Sequence, residues 1–317
     1  MEPTIQIINR VLPILLLLSL GYWIRLKNFL SPPTIEDLRK FVVNITLPAV
    51  LFISFLNIEL KSAYFVIFGF TFLLCILLFL LGRFLKSQFN IQHEYFPYLT
   101  TGFEYGMLGI SLFGSAYGLA NIGAIAVVDL GHEIFIWFVF LPLLLMKRDG
   151  RQSLAGIGRS FITSPVVIAI LASLLLNSLG AAPTLAELPI TGALLATFEF
   201  LGNLTIPLIL VIVGYGIQFD AHGLRDSLTV VGIRLALLIP LALVINWFVI
   251  RTLLQLDPYF EAAVFTLLIL PPPFIVPLYA RQGLAISEKQ YINNVLMVHT
   301  IISIAIYILY FALNPLA

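Results

Sequence analysis

The stretch FVVNITLPAVLF, residues 41–52, sets an asparagine, a threonine and a proline inside an otherwise apolar run. A second stretch, FLGNLTIPLILV at residues 200–211, repeats Phe, Asn, Thr and Pro at the same spacing. Proline removes a helix hydrogen bond and asparagine is costly in hydrocarbon, so neither suits a plain membrane helix. The repeated interruption therefore indicates an internal duplication in which both copies carry a modified helix.

Composition places both stretches in a membrane protein. The 317 residues are 60% hydrophobic and 10% charged, with a mean hydropathy of +1.05, whereas soluble domains contain about 25% charged residues. The single cysteine, Cys75, excludes an intrachain disulfide and a cysteine-based metal cluster. The net charge of +1 gives no reason to expect a nucleic-acid partner. Because YWIRLK follows the first apolar run without a small-residue cleavage site, we expect a retained first helix rather than a signal peptide.

Ten segments come close to the length of about 20 mostly apolar residues that a membrane-spanning helix needs. They are residues 4–24, 36–57, 62–84, 96–119, 121–146, 162–180, 193–218, 226–252, 259–281 and 289–313. The predicted fold class is therefore an all-α polytopic membrane protein with ten transmembrane helices.

The distribution of lysine and arginine predicts the orientation, because cytoplasmic loops carry the excess of these residues. Counted together with the span ends that flank them, the loops after even-numbered spans hold only Lys61 and Arg251. Counted in the same way, the loops after odd-numbered spans hold Arg25, Lys27, Arg39, Lys40, Arg83, Lys86, Lys147, Arg148, Arg151, Arg159, Arg225, Arg281 and Lys289. We therefore expect the odd-numbered loops to be cytoplasmic and both termini to lie outside.

Two further matches support the duplication. The dipeptide PY occurs at residues 97–98 and 258–259, near the start of the fourth and ninth spans, and the tripeptide GLA at 118–120 and 283–285 ends both. The chain thus divides into repeats at 4–146 and 162–313. Since each repeat holds an odd number of spans, the second is inverted relative to the first. This arrangement is typical of secondary transporters, which bind substrate near the bilayer midplane where broken helices meet.

The fourth and ninth spans are the predicted broken helices. The fourth, TTGFEYGMLGISLFGSAYG, surrounds a glutamate with glycines, and the ninth, LILPPPFIVPLY, contains Pro271, Pro272 and Pro273 in succession. Three consecutive prolines cannot continue an α-helix. Irregular backbone at membrane depth is tolerated only where protein or a water-filled cavity satisfies it. We expect the two breaks to cross, with half-helix N-termini that favour an anionic group.

These stretches, with the opening LPILLLLSLGYWIRLKNFLS and the later LTIPLILVIVGYGI, resemble the auxin efflux carrier family. That family includes plant auxin exporters and bacterial carriers of small organic anions, and it shares a superfamily with sodium–bile acid symporters. The resemblance implies ten helices with crossed, broken helices four and nine. It also implies a scaffold of helices 1, 2, 6 and 7, a mobile transport domain of helices 3–5 and 8–10, an elevator-like movement, and a homodimer through the scaffold.

The chain departs from the family pattern at two places. The fourth-helix break of the family usually reads Asn-x-Gly-x-x-Gly-x-Pro, whereas this chain has Glu104 for the asparagine and Ser111 for the proline. In the fifth helix a family-like Asp-x-Gly-Asn becomes Asp129-Leu-Gly-His132. Each departure replaces a neutral asparagine with a titratable residue, Glu104 or His132. We therefore do not transfer the family's substrates to this chain.

Ionisable residues inside membrane spans are candidate functional groups, because a charge there costs at least about 2.5 kcal/mol. Glu104, beside the fourth-span break, is the main candidate for proton coupling. Asp129 and His132 share one helical face and form either a relay, a coupling-ion site or a structural ion pair. His299 is a further coupling candidate. The other ionisable residues within spans are Glu133, Glu199 and Arg234, the last of which either snorkels or counters a carboxylate.

The predicted substrate site combines the two breaks with the repeated motif. Asn44 and Asn203 are expected to face the crossing, where their amides satisfy freed backbone groups or contact substrate. The complete set of predicted substrate-binding residues is Glu104, Tyr105, Gly106, Gly109, Pro271, Pro272, Pro273, Asn44 and Asn203.

The function predicted from these features is secondary active transport of a small organic anion, a carboxylate, coupled to protons. A sodium-coupled organic-anion symporter is the alternative, together with a transporter-like sensor or channel. No HExxH, Gly-x-Ser-x-Gly or GxxxxGK[ST] motif is present, so we expect neither an enzyme nor ATP-driven pumping. We expect no cofactor and no metal site. The expected location is the bacterial cytoplasmic membrane, with the lipid bilayer, the anion and a coupling proton or sodium ion as partners.

Overall fold

The computed structural model describes residues 2–59, 61–149, 159, 162–217, 224–280 and 284–314. All regular secondary structure within these ranges is helical. The helices are α1 (Glu2–Leu26), α2 (Pro32–Leu56), α3 (Ala63–Gln88), α4 (Phe96–Leu99), α5 (Ile110–Tyr117), α6 (Leu119–Lys147), α7 (Pro165–Ser178), α8 (Ala182–Glu187), α9 (Pro189–Gly216), α10 (Leu224–Leu253), α11 (Pro258–Ile269), α12 (Ile275–Tyr279) and α13 (Ile286–Leu313).

Six of the described helices are long and apolar enough to span a bilayer, namely α2, α3, α6, α9, α10 and α13. Shorter apolar segments are 12–26 of α1, α7 and α11. The expected all-helical membrane architecture is therefore confirmed, while the count of ten spans and the inverted repeat stay predictions. Arg151, Arg281 and Gly283, used above for orientation and for the repeat, lie outside the described residues.

The two copies of the Asn-x-Thr-x-Pro motif adopt different backbones. In α2 the residues Val42–Thr46 form a π-helical turn that ends two residues before Pro48. In α9 the helix runs on through Pro207 without a change of type. The Asn44 amide donates a 2.7 Å hydrogen bond to the Lys40 carbonyl within its own helix. This bond serves a main-chain acceptor one turn earlier, which is the structural role considered for the motif.

Glycines let α1 and α9 approach each other closely. A Cβ atom at Gly21 would collide with the Val211 carbonyl, and one at Gly214 would collide with the Leu18 carbonyl. At the end of the pair, the Arg25 Nη1 donates to the Ile217 carbonyl over 2.8 Å. The two helices therefore pack backbone against backbone over residues 18–25 of α1 and residues 211–217 at the C-terminal end of α9.

Helix α6 lies deepest in the molecule, with 67% of its most apolar stretch buried, against 33% to 44% for the other long helices. It packs against α3, where a Cβ atom at Gly131 would meet the Phe68 carbonyl. This position places Asp129 and His132 of α6 in the interior.

Two interruptions position the candidate site. The first, which we call the glycine-rich break, comprises residues 100–104 between α4 and the π-helical turn Tyr105–Gly109 that continues into α5. Gly102 there adopts φ of +71°. The second, the proline-rich break, comprises residues 270–274 between α11 and α12. Both interruptions occur where the glycine and proline patterns predicted them.

Candidate functional site

The two breaks contact each other through the main chain. The Glu104 N–H donates a 2.8 Å hydrogen bond to the Pro271 carbonyl. A Cβ atom at Gly102 would lie 2.8 Å from Cγ of Pro273, so the glycine also allows the close approach. The expectation that the breaks lie together is confirmed by these contacts.

The Glu104 carboxylate bridges the two breaks. Its Oε2 accepts a 2.6 Å hydrogen bond from the Phe274 N–H, and its Oε1 accepts a 3.3 Å bond from the Met107 N–H. The side chain is 8% exposed. Both donors stand at the starts of helical segments, where main-chain N–H groups lack intrahelical partners and favour a negative charge. The helix starts at the breaks favour an anion, and the Glu104 carboxylate takes that place.

Arg234 of α10 supplies the opposite charge. Its Nη2 donates to the Gly102 carbonyl over 2.9 Å and to the Leu270 carbonyl over 3.1 Å. A longer bond of 3.5 Å runs from Nη1 to the Leu99 carbonyl. The guanidinium also lies 5.4 Å from the centre of the Phe103 ring. Arg234 therefore binds main-chain oxygens of both breaks, a role that the sequence did not reveal.

Asp129 and His132 form a hydrogen-bonded pair that ends on the glycine-rich break. The His132 Nδ1 lies 2.7 Å from the Asp129 Oδ1, and the His132 Nε2 accepts a 2.9 Å bond from the Phe103 N–H. An imidazole nitrogen that accepts carries no proton, so Nδ1 carries the proton and donates it to Asp129. The pair thereby holds the irregular backbone in place, and its role in coupling stays a prediction.

The remaining predicted residues are distributed unevenly. Tyr105, Gly109 and the three prolines 271–273 are buried at the breaks, and Gly106 is half-buried there. His299 is fully buried in α13, and no described hydrogen bond joins its ring to Glu104 or Asp129. Asn44 and Asn203 are both exposed on their helices. The structure therefore brings the two breaks together but does not bring these two amides to them.

A cavity of about 320 Å³, the Arg39 cavity, adjoins the breaks. Met107 and Phe274, whose N–H groups bind the Glu104 carboxylate, line it together with Arg39. The Arg39 side chain is 31% exposed, and its Nη1 lies 3.5 Å from the Glu36 Oε2. Polar side chains of α13 form the opposite wall, namely Gln290, Asn293, Asn294 and Thr300. Sequence reasoning treated Arg39 only as a loop charge and did not consider these α13 side chains.

A second cavity, the Asn203 cavity, has a volume of about 560 Å³. It is lined by the C-terminal end of α2 and the N-terminal half of α9, including Glu199 and Asn203. The Arg39 cavity is lined by the N-terminal half of α2 and the C-terminal end of α9. The two cavities therefore lie at opposite ends of α2 and α9.

Within the described residues, no group of three or more His, Cys, Asp or Glu side chains is arranged to hold a metal ion. At the breaks, the Glu104 carboxylate, the His132 ring and the Arg234 Nη2 instead bind main-chain groups.

A comparison with known protein families gives a match to the first half of the chain. Residues 6–156 match a family model described as "Membrane transport protein", which is the auxin efflux carrier family within the bile-acid–auxin group. The matched segment contains the glycine-rich break and the Asp129–His132 pair, while the proline-rich break lies beyond it. No curated protein sequence matches the chain significantly. Members of this family are transporters rather than enzymes.

Proposed function

We propose that this membrane transporter, whose residues 6–156 belong to the auxin efflux carrier family, is a secondary active carrier of a small organic anion coupled to protons. The anion is a carboxylate in this proposal, and Glu104 binds the coupling proton.

The observation that carries the proposal is the position of Arg39 beside the Glu104 network. The Arg39 cavity offers a guanidinium and amide groups within about 320 Å³, which is close to the smallest volumes usual for small-molecule sites, about 300 Å³. A guanidinium matches a carboxylate through two parallel N–H···O hydrogen bonds. A small carboxylate that binds Arg39 would also lie near Met107 and Phe274, the residues whose N–H groups bind Glu104.

Proton coupling follows from the competition between two carboxylates. Arg39 lines the same cavity as Met107 and Phe274, the two residues whose N–H groups bind the Glu104 carboxylate. Two carboxylates about 4 Å apart repel each other by about 4 kcal/mol where the effective dielectric constant is about 20. Protonation of Glu104 removes this repulsion and weakens its hold on the helix-end N–H donors of Met107 and Phe274. The carrier would therefore load its anion together with a proton.

Alternating access is supported by the placement of the two cavities. In the proposed division, α1, α2, α7 and α9 form the scaffold and the other spans move. Each cavity is lined by α2 and α9 on one side and by helices of the proposed mobile domain on the other. A movement of the breaks along α2 and α9 would carry a bound anion from one cavity towards the other. In this proposal the chain lies in a bacterial cytoplasmic membrane with both termini outside.

The test begins with the purified protein and a panel of acetate, lactate, malonate, succinate and citrate in a thermal unfolding assay. A ligand present at about 100 times its dissociation constant stabilises the folded state by about 2.7 kcal/mol. The stabilising acid is then supplied in radiolabelled form to proteoliposomes under an imposed pH gradient or an imposed sodium gradient. We expect accumulation with the pH gradient alone; accumulation that requires sodium would support the bile-acid-type alternative.

A matched pair of variants tests the substrate position. Arg39→Gln removes the charge from the cavity, whereas Lys40→Gln removes an exposed charge that is paired with Asp37 at 3.0 Å. Loss of a charge-assisted carboxylate hydrogen bond costs about 1.5–3 kcal/mol, so we expect Arg39→Gln to weaken binding by about 10- to 150-fold. Equal affinities in the two variants would contradict the assignment of Arg39.

A further inference from the structure

The carbonyl oxygens around Arg234 lie at the ends of helices or inside a break, where the helical hydrogen-bond pattern is interrupted. Leu99 ends α4, Gly102 lies inside the glycine-rich break, and Leu270 follows the last residue of α11 in an extended conformation. The carbonyls at helix C-terminal ends have no intrahelical N–H partner and carry partial negative charge. In broken transporter helices such carbonyls coordinate sodium.

In this chain a side chain takes that place. The Arg234 guanidinium is 2% exposed and donates to the Gly102 and Leu270 carbonyls over 2.9 and 3.1 Å, with a longer contact to Leu99. The planar group holds its donors in a fixed fork and remains charged. It therefore satisfies oxygens from both breaks at once, as a coordinated ion would.

The nearby carboxylates have other partners. Asp129 accepts from His132, and Glu104 accepts from the N–H groups of Met107 and Phe274. Within the described part of the chain no ion pair within 4.0 Å joins Arg234 to a carboxylate. The charge of Arg234 is therefore directed at the main-chain oxygens and not at an acidic partner.

We propose that Arg234 is a built-in cation that occupies the carbonyl site which a coupling sodium ion would otherwise take, so that this carrier works without sodium. Arg234 acts as a positioning residue, because it holds the two breaks together and contacts neither the Arg39 cavity nor the proposed substrate. The inference deepens the proposed function, on which its consequence for coupling rests, by naming the group that takes the place of a coupling sodium ion.

The first test compares sodium with potassium. Purified full-length protein is unfolded thermally in a titration of sodium chloride against potassium chloride at constant ionic strength. We expect the same unfolding temperature in both salts, because the carbonyl site is already filled. A sodium-specific rise in the unfolding temperature of the wild-type protein would overturn the proposal.

The second test empties the site. Arg234→Ala leaves the carbonyl set without a cation, so we expect a lower unfolding temperature that added guanidinium or methylguanidinium chloride partly restores. Sodium chloride at equal concentration controls for ionic strength. Arg251→Ala is the matched control, because Arg251 lies on the same helix but is exposed and paired with Glu261. Guanidinium should lower, and not raise, the unfolding temperature of that control and of the wild type.

Two results of the second test would contradict the proposal. One is an Arg234→Ala protein as stable as Arg251→Ala, and the other is a destabilised protein that guanidinium does not stabilise. If Arg234→Ala yields no folded protein, Arg234→Lys replaces it in the test, because lysine keeps a positive charge at the carbonyl oxygens. We expect Arg234→Lys to fold without sodium. A requirement of that variant for sodium would contradict the proposal. Because none of these measurements uses a carboxylate substrate, their outcome is independent of whether the organic-anion assignment holds.

Discussion

The Glu104 carboxylate accepts a 2.6 Å hydrogen bond from the main-chain N–H of Phe274, across the contact between the two broken helices. The same residue donates its own N–H to the Pro271 carbonyl over 2.8 Å. One glutamate thus joins two segments that are far apart in the sequence through its side chain and its main chain. Any change in the charge of Glu104 will therefore act on both breaks together.

The conformation of the glycine-rich break predicts a large effect of Gly102→Ala. Gly102 has φ of +71°, and an added Cβ atom would lie 2.8 Å from Cγ of Pro273. A left-handed conformation costs a residue with a Cβ atom about 1–2 kcal/mol before any clash is counted. We expect thermal unfolding of the purified variant to show a loss of at least this size.

Gly106→Ala is the control for that change, because a Cβ atom at Gly106 would have no heavy atom within 4 Å. Gly106 lies in the π-helical turn that follows the same break, and the variant adds the same methyl group. Equal stability of the Gly102→Ala and Gly106→Ala proteins would show that the backbone of the break is not as described.

The His132 ring predicts a second effect on stability. Its Nε2 is the acceptor for the buried Phe103 N–H. His132→Phe would fill similar space but leave that N–H without its acceptor, at a cost of about 1–3 kcal/mol. Thr71→Val is a suitable comparison, since the Thr71 hydroxyl donates only to carbonyls of its own helix. A variant His132→Phe no less stable than Thr71→Val would contradict the role of His132 in holding the break.

The predicted orientation can be tested with single cysteines. In a Cys75→Ala background, Lys40→Cys and Lys61→Cys place a thiol at two exposed lysines that each form a surface ion pair, with Asp37 and Glu59 respectively. Because basic residues mark the cytoplasmic loops, we expect a membrane-impermeant maleimide to label Lys61→Cys in intact cells. Lys40→Cys should be labelled only after permeabilisation, and the reverse pattern would contradict the orientation.

The breaks were predictable because glycine and proline act on the backbone directly. The run of prolines 271–273 lacks main-chain donors wherever it is placed, so its interruption follows from local chemistry. Glu104 stood out for a similar reason, since a carboxylate within an apolar span needs partners nearby. These features do not depend on which way a helix faces.

Other features depend on tertiary packing that local patterns do not encode. Arg39 looked like a loop charge, yet it lies in α2 and lines a cavity with residues of α13. The partners of Arg234 are main-chain carbonyls, which every residue carries and which no motif marks. Asn44 was expected at the crossing but is exposed and bonded within α2, because the rotation of that helix is set by its contacts with α7 and α9.

In the proposed mechanism Glu104 couples proton movement to anion movement, and Glu104→Gln separates the two. Glutamine keeps an acceptor oxygen for a main-chain N–H but cannot exchange a proton, while Glu199→Gln alters an exposed glutamate of the other cavity. In proteoliposomes, we expect Glu104→Gln to retain counterflow of the bound carboxylate but to lose accumulation driven by a pH gradient. We expect Glu199→Gln to retain both. Accumulation by Glu104→Gln at the wild-type rate under the same pH gradient would show that Glu104 does not couple the two movements.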